Sequence, residues 1–219
     1  MIFFIIDYFF IFLIIVLVGA LFWYRRKLKQ TSGNSKFVNL FPKLLNWTWF
    51  LSILGIIIVN LYFSYLQYQV WSGNEFSKFF LPPYQGIGYF VSYVFARFFA
   101  QWIVALVASL MVSFGAKFLN KKFGERFFEK EEIALIGLGV FLSGYPAFFF
   151  YLGIIMIFGV LISLIYTIFK KGRLPLYHFW LPASAFAIII KVWLIPCLGF
   201  QSILGQFSLG DFTKIFFDF

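Results

Sequence analysis

Acidic residues are scarce in this chain of 219 residues: eight stand against 18 basic ones, and there is one cysteine and one histidine. The lone Cys197 excludes a disulfide within the chain and any CxxC redox or metal site. With His178 as the only imidazole in the sequence, a zinc cluster of the ordinary Cys/His kind cannot be assembled from one copy. The sequence also lacks a glycine-rich phosphate loop and a serine in a nucleophile-elbow context. No cofactor and no metal is therefore expected.

What the chain has is apolar surface. Hydrophobic residues make up 63% and charged residues 12%, well outside the roughly 45–50% apolar composition of a soluble domain. Apolar runs long enough to cross a bilayer as helices recur along the chain. The expected fold is an all-α polytopic membrane bundle without a soluble domain, with the lipid bilayer, and other membrane proteins, as its partners. The net charge of +10 fits loops retained on the cytoplasmic side of a plasma membrane and does not call for nucleic acid.

Six membrane segments are expected, at about 2–23, 47–68, 92–116, 133–143, 147–169 and 176–198, with a tail at 201–219 lying along the interface. The first is followed directly by YRRKLK; charge after a long apolar run marks an uncleaved span with its N-terminus outside. The basic stretches around 24–46, 117–132 and 170–173 then all fall inside and both termini outside. Pro82 and Pro83 interrupt any helix in the outer loop, so the third span starts after them. From Ile133 to Phe169 the apolar run is too long for one span, and Ser143-Gly144-Tyr145-Pro146 offers a break. The arm before that break rises only about 16 Å, less than the hydrocarbon thickness, and reads as half-buried or re-entrant.

Ionisable groups inside spans are costly and attract functional suspicion. Here they are Asp7, Arg97 and Lys191, all in the outer half of the expected bundle. Asp7 either pairs with one of the two cations or each group snorkels separately to headgroups and water. His178, in PLYHFW, reads as one more interfacial aromatic or as a ligand. Ala105, Ser109 and Ser113 recur every fourth residue, a small-residue stripe suited to close helix packing or to a substrate path. Gly137 and Gly139 read as packing positions. Glu129, Glu131 and Glu132 precede the 133–143 run, where the helix dipole and neighbouring Lys and Arg favour carboxylates.

From about Glu131 to Ile190 the order EEIALIGLGVFLSGYP, FGVLISLIYTIF, KKGR and LPLYHFWLPASAF resembles the prepilin (type IV) peptidases, polytopic aspartyl proteases with a GxGD motif at the cytoplasmic start of a helix. The resemblance implies that Glu131 stands at the position of the GxGD aspartate and is the candidate catalytic residue. The family's other aspartate, counted back, falls around Gln67, and the sequence has no aspartate between Asp7 and Asp211. The expectation is a diverged prepilin-peptidase-like membrane protein without an intact aspartyl dyad. The alternatives are a non-catalytic subunit or scaffold of a larger membrane or secretion assembly and, third, a small-solute transporter.

Overall fold

In the computed structural model the chain is all-α, with no strand among the described residues. The structure describes residues 2–30, 40–124, 128, 130–170, 177–194 and 197. The expected interfacial tail at 201–219, Glu129 and the side chain of His178 lie outside that set.

Helix α1 (Ile2–Gln30) is followed by α2 (Leu40–Gly73), a 3-10 turn at Ser77–Phe80, and α3 (Ile87–Val94). Helix α3 runs through a π turn at Phe95–Phe99 into α4 (Ala100–Lys122). The remaining helices are α5 (Lys130–Ser143), α6 (Ala147–Ile154), a π turn at Ile155–Gly159, α7 (Val160–Lys170), and α8 (Tyr177–Ile189) with a closing π turn at Ile190–Leu194. Among the described residues, three helices are long and apolar enough to cross a membrane: Ile6–Tyr24, Lys43–Gly73 and Ile87–Lys122. Ala147–Ile162 and Phe179–Leu194 are shorter apolar helices. The prolines at 82 and 83 sit between the 3-10 turn and α3, so the helix starts at Ile87, about one turn earlier than the span expected from residue 92.

Helix α1 buries Ile6, Phe10, Ile14, Leu17, Leu21 and Tyr24, spaced by three or four residues and therefore on one face. Phe9, Phe12, Ile15 and Phe22 on its other face are exposed. An apolar residue on both faces erases the amphipathic contrast that marks a helix in a soluble protein.

Helix α5 differs from its neighbours in being covered on every side. From Leu135 to Gly144 each residue is buried, and α5 touches α2, α4, α6 and α8. A helix that is apolar all round belongs in a core, and α5 is the centre of the described bundle.

Its glycines set how close the neighbours come. A Cβ on Gly137 would meet the Ser113 side chain, and one on Gly139 would meet the Tyr151 ring. The expected small-residue stripe lies in this contact: Ala105 and Ser109 are fully buried, and Ser109 Oγ donates to Gly137 O at 2.6 Å. On the opposite side the fully buried Tyr151 hydroxyl donates a long bond to Ile136 O, 3.4 Å. Trp49 of α2 stacks on Phe141 with ring centroids 5.2 Å apart. After Ser143, Gly144 adopts φ +68°, and the Trp102 ring lies 3.1 Å from where its Cβ would be. Both the left-handed backbone and the close indole select glycine there. The break expected at Ser143-Gly144-Tyr145-Pro146 is thus a turn that folds α6 back against α5.

Gly139→Ala should cost about 1–3 kcal/mol by overpacking against Tyr151. Gly55→Ala, where an added Cβ has nothing within 4 Å, should be neutral or slightly stabilising. Thermal unfolding of both variants in the same detergent checks the contrast; equal midpoints would mean that the α5–α6 contact is not tight.

Candidate functional site

Two groups of polar residues merit a functional reading, one at the start of α5 and one where α1 meets α8. At the first, Asn120 of α4 forms a two-bond clamp on the connecting backbone. Its Nδ2 donates to Phe128 O at 2.8 Å, and Phe128 N–H donates to its Oδ1 at 3.0 Å. Phe128 in turn packs edge-on against Trp180 of α8, with ring centroids 6.1 Å apart. These contacts fix where α5 begins, and with it the first-turn carboxylates Glu131 and Glu132. Glu131 is half-buried, whereas Glu132 is only 5% exposed. Neither is without an interaction partner, and both sit where the helix dipole favours negative charge.

A dyad needs two carboxyls near enough to share a proton. Trp49 reaches both Gly137 and Phe141, which aligns that part of α2 with the middle of α5. Ser113 lies beside Gly137 and Trp102 beside Gly144, so α5 runs antiparallel to α4. Phe63 lies against Phe98, so α2 is antiparallel to the same helix and hence parallel to α5. Gln67 is then about 27 Å beyond Trp49 along α2, while Glu131 is about 9 Å from Gly137 in the opposite direction. The two positions that the family resemblance pairs are at opposite ends of the bundle.

The second group contains the intramembrane candidates. Lys191 Nζ donates to Asp7 Oδ1 at 2.9 Å, with side-chain exposures of 18% and 4%. Asp7 stands at the start of the buried face of α1, and Lys191 lies in the π turn that closes α8. The pair therefore joins the first and last described helices. Arg97 is not part of it; its guanidinium lies over the Tyr93 ring, 5.9 Å from the centroid, in a cation–π contact. Among the described residues no three His, Cys, Asp or Glu side chains are grouped so as to hold a metal ion.

One buried polar residue of α2 carries no charge. Asn60 of α2 is 0% exposed, and neither its Nδ2 nor its Oδ1 has a hydrogen-bond partner. The available signal was its place in the apolar stretch GIIIVNLYF, four residues after Ile56 and three before Phe63, on the face that packs inward.

Breaking the Asp7–Lys191 pair strands a charge. Asp7→Asn should lower stability by about 3 kcal/mol, the low end of the range for a buried pair because Lys191 keeps some exposure. Adding Lys191→Met should restore much of that loss. Unfolding midpoints of the two single variants and the double variant measure the coupling; additive losses would show that each charge is solvated separately.

No family model, curated protein or solved structure matches the chain.

Proposed function

We propose that the protein is a non-catalytic integral membrane subunit, a diverged relative of the prepilin peptidases that keeps a membrane scaffold without the aspartyl dyad. It resides in the plasma membrane with six membrane-embedded segments, both termini outside and the basic stretches inside. The observation that supports the reading is the separation of Glu131 from Gln67 along α5 and α2, which puts the two positions paired by the resemblance at opposite ends of the described bundle.

The surface supports a role in assembly. Around the covered α5, the outer helices expose large apolar side chains such as Phe12, Ile58, Met111, Phe114 and Ile157. In a bilayer this perimeter meets lipid tails or the helices of a partner, and close helix contacts between proteins form there by packing and not by expulsion of water.

Two results test the proposal. Glu131→Gln should leave processing of a type IV leader unchanged in membranes that contain the protein, and loss of cleavage would restore the peptidase reading. Affinity purification in mild detergent should recover a membrane partner in fixed proportion, whereas a stable lone monomer would contradict the subunit assignment.

A further inference from the structure

The spacing of charge along two helices fixes the depth of Arg97. Between Arg97 and Lys117 the stretch FFAQWIVALVASLMVSFGA has no charged residue, and neither does LLNWTWFLSILGIIIVNLY between Lys43 and Phe63. Each pair is 20 positions apart, or about 30 Å along a helix, which is the thickness of the hydrocarbon core of a bilayer. Helix α2 packs against the π turn that contains Arg97. Phe63 lies against Phe98 and Tyr68 against Phe90, with ring centroids 6.3 and 5.5 Å apart. The helices are thus antiparallel, with Phe63 and Arg97 near one level and Lys43 and Lys117 near another, one core thickness away.

Beyond the Arg97 level both helices continue and change character. In α2 the aliphatic ILGIIIV at 53–59 gives way to SYLQYQVWSG at 64–73, and α3 opens with IGYFVSYV. Tyrosine and tryptophan at that density belong at a membrane interface. With the exposed Lys43 and Lys117 among the headgroups of one leaflet, Arg97 reaches the headgroups of the other.

Arg97 is exposed on the perimeter of the bundle. Its guanidinium lies over the ring of Tyr93, one turn further out, 5.9 Å from the centroid. That contact uses a face of the planar group and leaves its N–H edge, a fork that matches two oxygens of a phosphate. Asp7, the carboxylate expected in the same half of the bundle, is held by Lys191. We propose that Arg97, oriented by Tyr93, is a binding site for the phosphodiester of a phospholipid in the leaflet opposite Lys43 and Lys117. The site depends on the placement of the chain across a bilayer and on nothing in the peptidase resemblance.

The test is solid-state NMR on the full chain with 13C-labelled arginine guanidinium groups and isoleucine methyls, in phospholipid bilayers and phosphate-free buffer. Lipid 31P should dephase the Arg97 guanidinium carbon, isolated as the difference between wild type and Arg97→Lys. Should that variant fail to fold, a chain with Arg25, Arg26, Arg126 and Arg173 replaced by lysine shows the Arg97 signal directly. Tyr93→Leu should weaken the dephasing, and an unchanged signal would remove Tyr93 from the site. Transfer from lipid acyl chains to the isoleucine methyls reports membrane placement separately. Where that transfer is present and Arg97 shows no dephasing, the lipid site is overturned while the membrane reading stands. In bilayers of a phosphorus-free glycolipid with inorganic phosphate in the buffer, Arg97 should show no dephasing. Equal dephasing there would make this a site for free phosphate and overturn the lipid assignment.

Discussion

Close approach of α4 and α6 to the backbone of α5, at Gly137 and Gly139, is the constraint on which the arrangement depends. Where a side chain would stand on either glycine, Ser113 and Tyr151 already occupy the space. Without a Cβ the helices come near enough for Ser109 to bond the Gly137 carbonyl directly. In a membrane, where expulsion of water contributes little between helices, such packing and interhelical hydrogen bonding are the main attractive terms. The consequence is a short helix enclosed by α2, α4, α6 and α8.

The polar contacts complete this plan from the edges inward. Asn120 holds the chain entering α5, and Gly144 with Trp102 shapes the chain leaving it. Near the start of α1, the Asp7–Lys191 bond closes the bundle across 184 residues of sequence. Two of the three π turns among the described residues contain the basic side chains Arg97 and Lys191. Such turns shift the register of a helix by one residue, and here they coincide with the positions where a cation must find a partner within an apolar run. Carboxylates at the start of α5 fit the same plan: they suit the helix dipole and have partners, but no second acid faces them from Gln67.

Much of the helical framework was readable because long apolar runs and breaking residues have direct physical meanings. Pro82 and Pro83 separate α2 from α3, and Gly144 marks the turn after α5. Helix ends were less accessible: α2 extends from Leu40 to Gly73, beyond the apolar part that crossing a bilayer requires. The environment of α5 was hidden for a different reason. In a chain this apolar, α1 and α5 present similar composition, yet one has a half-exposed circumference and the other none; only tertiary contact distinguishes them. Likewise the cost of intramembrane charge singled out Asp7, Arg97 and Lys191, but choosing between the two cations requires knowing which helix lies beside α1. Asn60 escaped because it is uncharged, although a buried amide also calls for a partner.

The covering of α5 on every face predicts that lipid does not reach it, which can be measured on the unmodified chain. With Leu, Ile and Val methyl groups labelled, a nitroxide-bearing lipid should broaden the signals of the exposed Val107, Leu110 and Ile157 and spare those of Leu135, Ile136, Leu138, Val140 and Leu142. Broadening of the α5 methyls on any one face, comparable to that of Val107 or Leu110, would put that face against lipid and contradict the account.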